Sequence, residues 1–192
     1  MEPPDELLCR RVAERDEAAF DLLVTRYQQR AYRLAWSILR DAEEARDISQ
    51  EAFVRLYQMA GSFAGRSRFS TWFYRILVNL CLDHRRRRHW WQRFVQTGES
   101  DPSDYEPDRS VLDDRPALTV DPIEALDREQ KMKRVWEAVD TLSPRQRAAV
   151  LLQVQEELPT SEVAAVLKCS EATVRVHLHR ALATLRKTVG KG

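Results

Sequence analysis

Residues 96–122 break an otherwise helical pattern, and they divide the chain before anything else can be read. Pro102, Pro107, Pro116 and Pro122 fall in this stretch among many aspartates, and no apolar period survives there. Such a composition buries too little apolar surface to offset its ordering entropy, and it predicts a flexible acidic linker. The segments on either side, 1–95 and 123–192, are each of small-domain size. Both carry the three-and-four apolar spacing of amphipathic helices and almost no alternating strand pattern. The expected fold class is all-α: two small helical domains joined by a linker.

In the first segment, Asp5 is positioned to cap a short helix running to about Val12, and Asp16 a longer one. The apolar face of the longer helix is Phe20, Leu23, Val24, Tyr27, Ala31, Leu34, Ala35 and Ile38. Asp41 and Glu44 have capping-box spacing at the head of a third helix with Ala45, Ile48, Ala52, Phe53, Leu56 and Tyr57 on one face. Gly61 and Gly65 interrupt the pattern. A fourth helix is expected from about Ser67 to Arg88, packing through Phe69, Trp72, Phe73, Ile76, Leu77, Leu80 and Cys81. In the second segment, helix resumes at Ile123 or Glu124 and carries Val135, Trp136, Ala138, Val139 and Leu142. Ser143-Pro144 is a strong helix start. Leu158-Pro159 ends that helix, Thr160 is placed to cap a short one, and Ser170 a last, basic one. Short helix, tight turn, longer basic helix is the order of a helix-turn-helix. Lys168 falls in the turn, where a left-handed lysine would cost about 1 kcal/mol.

The net charge of +1 conceals a segregated pattern. Residues 66–95 carry eight Arg against one Asp, 96–129 eleven acidic side chains against three Arg, and 168–192 six basic side chains against one Glu. Two phosphate-facing surfaces separated by a segment that avoids phosphate would produce this. Arg85, Arg86, Arg87 and Arg88 exceed what charge capping of a helix end needs. With Arg66, Arg68 and Arg75 before them and Trp90 and Trp91 after, they form a candidate backbone-binding stripe with stacking groups. Asn79 and Asp83, four apart on that helix, can read base edges. Trp72 and Phe73 are candidates either for wedging against unstacked bases or for plain core. On the last helix, Glu171, Ala172, Thr173, Arg175, Val176, His177, His179 and Arg180 are the expected exposed set. Arginines there suit guanine edges or phosphates, and Thr173 and Val176 suit a thymine methyl. The Ser170 end presents backbone N–H groups able to hold a phosphate.

Other chemistries find no constellation. His84 and His89 lack a matched nucleophile, and His177 and His179 point different ways. Five glycines form no phosphate loop. Cys9, Cys81 and Cys169 are odd in number, lack ligand spacing and read as small buried hydrophobes. No metal, cofactor, catalytic residue or small-molecule substrate is expected. The acidic start MEPPDELL does not resemble a secretory signal, and no apolar run reaches spanning length.

These residues together resemble the group IV, extracytoplasmic-function sigma factors. Asp41 to Phe53 resembles the region 2 helix that docks on the polymerase clamp, which implies roles for Asp47, Gln50, Glu51 and Phe53. Phe69-Ser-Thr71-Trp72-Phe73-Tyr74-Arg75-Ile76, with Asn79, Asp83 and the arginines, resembles the part that opens and reads the minus-10 element. Leu142-Ser143-Pro144-Arg145-Gln146-Arg147 through Leu185-Arg186 resembles region 4, which reads the minus-35 element and contacts the polymerase flap. The resemblance covers roughly residues 10–90 and 125–188. It implies core RNA polymerase and promoter DNA as partners, a cytoplasmic protein, and frequent sequestration by an anti-sigma factor, often at the inner membrane. The chain departs from the family where glycines are usual near Glu157 and Lys168 and a serine near Pro159. Val176-His177 also replaces a more common small polar and basic pair, so promoter preference does not transfer. Two rivals remain at this point. A stand-alone helix-turn-helix regulator explains 143–188 but not the two earlier blocks. A protein-only regulatory adaptor would make the basic segments solvated faces.

Overall fold

The structure is a computed structural model that describes residues 3–95, 138–139 and 141–189. The acidic linker expected at 96–122, and most of the helix expected from Ile123 with Val135 and Trp136, lie outside these residues. Seven α-helices and one 3₁₀ turn make up the described part, with no strand among the described residues. The all-α expectation holds.

Helix α1 (Asp5–Ala13) begins after Pro4, which takes the N-cap position. Asp5 is therefore not the cap. Its carboxylate accepts from Tyr27 Oη at 2.6 Å and Arg26 Nη1 at 2.5 Å, fastening α1 to α2 (Glu17–Leu39). Asp16 does cap α2, accepting from Ala19 N at 3.0 Å. Arg40 ends α2 in a left-handed conformation, its guanidinium 4.1 Å from the Trp36 ring centroid. Asp41 caps α3 (Ala42–Met59) through Glu44 N at 2.9 Å. Ala45, Ile48, Ala52, Phe53 and Leu56 are buried, as their spacing requires. The 3₁₀ turn Ala60–Ser62 and Gly65, at φ +65°, carry the chain to α4 (Phe69–Val95). Helix α4 starts two residues later and runs further than expected. Its Phe69 N–H donates to Glu6 Oε1 of α1 at 3.0 Å, a cap supplied from the far end of the domain. Phe69, Phe73 and Trp72 join Tyr27, Phe53 and Phe63 in one aromatic cluster with centroids 5.0–6.2 Å apart.

The second half holds α5 (Pro144–Val154), α6 (Thr160–Leu167) and α7 (Glu171–Val189). Ser143 and Gln146 form a complete capping box. Thr160 is the first residue of α6 and not its cap, because Pro159 occupies that position. Lys168 adopts the left-handed conformation at φ 51°, and Cys169 N–H bonds back to Ala164 O at 3.1 Å to close the turn. Glu157 is left-handed too, at φ 52°. These are the two places where related chains are expected to use glycine.

The two halves do not stand apart. Helix α6 packs on α4 and α5 on α2, and buried apolar residues of both halves form one contiguous cluster. Thus α4 buries two stripes. Phe69, Phe73, Leu77 and Cys81 face its own half, whereas Thr71 and Tyr74 meet side chains from the second.

Candidate nucleic-acid and polymerase interface

On α3, Asp47 and Gln50 are exposed and Glu51 is half-buried, ion-paired at 3.2 Å to Arg55 one turn on. Val54, 53% exposed, completes a 47/50/51/54 stripe that a helix presents on one side. Val54 is absent from the sequence-derived set, although that spacing contained it. Phe53 points the other way. It is buried with its ring 5.0 Å from Phe73, so it supports the helix from within and is no surface contact.

On α4, Arg75, Asp83, Arg86 and Arg87 are exposed and Asn79 is half-exposed. Asn79 Nδ2 donates to Arg75 O at 2.5 Å, which fixes the amide one turn from Asp83. Arg86 pairs with Asp83 at 3.1 Å. The four consecutive arginines divide by helical phase. Arg85 donates to Ile38 O at 3.1 Å, and Arg88 meets Glu44 at 2.8 Å beside His84 at 3.2 Å. Arg85 and Arg88 therefore tether α4 to α2 and α3, and Arg86 and Arg87 face solvent. Trp72 is 7% exposed within the aromatic cluster, so of its two expected roles the structure shows core packing, against the expectation that it contacts DNA from the surface. Trp90 is 57% exposed, and the side chain of Trp91 lies outside the described residues.

On α7, Val174 and Ala181 are buried. At 100° per residue the opposite face is centred on Ala172, Val176 and His179, all exposed. Thr173 and Arg180 flank it on one side, Glu171 and Arg175 on the other. Ser170 caps the helix, accepting from Thr173 N–H at 3.1 Å. Arg175 is paired to Glu171 at 3.0 Å. His177 lies at the edge, half-buried, and burial first, then Arg145 and Arg180, holds its pKa below the usual 6.5. A neutral imidazole at this edge can accept as well as donate. Arg145, exposed at the start of α5, joins the positive surface, although sequence reading treated it only as part of a motif. Packing of Val163, Ala164 and Leu167 of α6 beside α7 completes the helix-turn-helix geometry.

Burial pushes the Cys9 thiol up to about 11 and the Cys81 thiol up to about 12, so both stay protonated near neutral pH. Among the described residues no group of three or more His, Cys, Asp or Glu could hold a metal, and no helix is long and apolar enough to cross a membrane.

Family comparison agrees with this arrangement. Residues 23–91 match the model for sigma-70 region 2, and residues 132–185 the model for sigma-70 region 4. The chain is 32% identical over 185 residues to the RNA polymerase sigma-H factor of Pseudomonas aeruginosa, covering 96% of this chain and 93% of that one. It is 30% identical to the ECF RNA polymerase sigma-E factor of Escherichia coli, covering 92% and 90%. The fold resembles that of CnrH in complex with the cytosolic domain of CnrY, with a TM-score of 0.66, 21% identity and 97% of both chains covered. It resembles equally the sigma factor RpoE bound to the anti-sigma factor NepR from Bartonella quintana, with a TM-score of 0.66, 18% identity and coverage of 89% and 96%. With two exposed helical faces carried by a region 2 and a region 4 in that order, the chain belongs to the extracytoplasmic-function group of the sigma-70 family, the RNA polymerase factors that direct transcription initiation.

Proposed function

We propose a division of labour between the two halves, as a non-catalytic subunit of the polymerase. Residues 1–95 carry polymerase docking and minus-10 reading, and residues 123–192 carry minus-35 reading. The stripe Asp47, Gln50, Glu51 and Val54 docks on the core enzyme. Arg75, Asn79, Asp83, Arg86 and Arg87 contact the minus-10 region, Asn79 and Asp83 at base edges and the arginines at phosphates. Ser170, Thr173, Arg175, Val176, His179 and Arg180 contact the upstream duplex, with His177 at the rim. The observation that carries this reading is that α4 and α7 present two separate outward faces of this composition. A stand-alone regulator would use α7 but leave the α3 stripe and the α4 face without a task. The protein works in the cytoplasm, where its polymerase is. An anti-sigma partner is supported by the structural neighbour solved with the anti-sigma factor NepR, and the other neighbour, CnrH, is also seen in a complex, with the cytosolic domain of CnrY. Footprinting and permanganate reactivity on one promoter test the division. Asn79→Ala should impair melting and leave upstream protection, whereas Arg175→Ala should impair upstream protection first. A lost base contact should cost about 1–3 kcal/mol and change sequence preference. Equal loss of both signals in both variants contradicts the assignment.

A further inference from the structure

We propose that helix α1 is part of the DNA-binding surface, and that Arg10 holds a backbone phosphate flanking the minus-10 element. This rests on the minus-10 reading of α4 above and extends that face onto a helix with no assigned contact. Neighbouring arginines have partners. Arg11, the next residue on α1, turns to Asp16 at 2.6 Å. Arg15 lies over the Tyr57 ring at 4.9 Å, and Arg26 pairs with Asp5. Arg10 is exposed, and among the described residues no carboxylate lies within ion-pair distance of it. Glu6, one turn earlier on the same side of α1, is engaged by Phe69 N–H at 3.0 Å. The Arg10 guanidinium instead lies over the connection between α3 and α4, with Nη2 4.0 Å from where a Cβ would stand on Gly65. Leu8, Cys9 and Val12 are fully buried, so α1 is fixed and this charge is in place before any ligand arrives.

The surroundings make this a track of charge. Arg66, next after Gly65, is exposed and likewise has no carboxylate within reach among the described residues. Phe63 of the same connection rests on Trp72, with ring centroids 5.4 Å apart. Residues 72, 75 and 79 recur at three and four on α4, so the connection sits on the side of α4 that carries Arg75 and Asn79. Arg10, Arg66 and Arg75 thus continue one positive surface from α1 across the connection onto α4. From Phe69 to Arg75, α4 rises about 9 Å at 1.5 Å per residue. That is about three nucleotides at 3.4 Å each. A strand read at Asn79 that continues past the start of α4 therefore meets Arg10 within a few nucleotides. A guanidinium with no competing carboxylate suits a phosphate, and such a contact positions DNA without specifying its sequence.

The test is binding of holoenzyme, the full chain with core polymerase, to a promoter fragment recovered by run-off transcription. Arg10→Ala should weaken the complex several-fold and lower the salt slope by about 0.7–0.9, the value of one phosphate contact. The parent-to-variant affinity ratio should therefore shrink about threefold between about 50 and 200 mM salt. Arg10→Lys should keep most of the slope, and Arg11→Ala, which removes an already paired arginine, should leave it unchanged. Fragments carrying single neutral methylphosphonate linkages locate the contact. One linkage flanking the minus-10 element should weaken the parent complex several-fold and leave the Arg10→Ala complex unaffected, because the partner is already gone. Tm of Arg10→Ala should stay within about 2 °C of the parent, as for an exposed side chain. Parent affinity and slope in Arg10→Ala, an equal change in Arg11→Ala, a loss that is the same at both salts, or linkage effects identical in parent and variant overturns the proposal. A parent holoenzyme with no preference for any fragment over core polymerase alone would instead defeat the sigma reading itself, and this assignment with it.

Discussion

Replacing Lys168 by glycine should stabilise the protein, and the structure sets the size of the effect. Lys168 holds φ 51° and ψ 50°, where a Cβ crowds the following carbonyl. That crowding costs about 1–2 kcal/mol for an L-residue, and glycine avoids it. Glycine also widens the unfolded ensemble, which offsets about 0.4–1 kcal/mol. The Lys168 side chain is exposed, so truncation removes little packing. The net gain is about 0.5–1 kcal/mol. Because both halves share one buried cluster, the chain should unfold as a unit, for which Tm moves about 2–4 °C per kcal/mol. A rise of about 1–4 °C is expected by circular dichroism at fixed pH and salt. Lys168→Ala is the control: it keeps the Cβ and loses the charge, and it should stay within about 0.5 kcal/mol of the parent. A loss of stability in the glycine variant, or an equal gain in the alanine variant, refutes backbone strain as the cause.

Three further outcomes follow from side-chain placement. Phe53→Ala should destabilise by about 3–5 kcal/mol in denaturant unfolding, because it empties a buried aromatic site. Asp47→Lys, on the exposed stripe of the same helix, should leave the unfolding curve unchanged within about 0.5 kcal/mol and weaken binding to core polymerase. His177 should make stability pH-dependent with a definite sign. Its folded pKa is depressed, so its contribution is complete above the unfolded value near 6.5 and is lost as pH falls through the folded value. The Tm difference between parent and His177→Gln should therefore shrink or invert from pH 7 to pH 5; a difference that grows on acidification contradicts the burial argument.

What the sequence made legible was local. Asp16, Asp41, Ser143 and Ser170 cap as read, because a cap needs only a short polar side chain and a backbone N–H three residues on. Asp5 and Thr160 did not, because a proline precedes each and takes the N-cap position. Helical phase could have sorted Arg85 and Arg88 from Arg86 and Arg87, but what they reach for, Ile38 O and Glu44, is more than 40 residues away in the chain. The same holds for Phe53 and Trp72, whose fate depends on Phe73 and Phe63 arriving from other elements. Least legible was the contact between halves. Thr71 and Tyr74 recur at helical spacing, yet Glu162 and Glu156 lie 91 and 82 residues away, and nothing local links them.

Run-off transcription with core polymerase, on a pool of upstream fragments from the host genome, tests the central claim most directly. Adding the protein should yield transcripts with fixed start points from a small subset of fragments. Asn79→Ala or Arg175→Ala should diminish them, and core polymerase alone should not produce them. Transcripts identical in pattern and yield with and without the protein would contradict the account.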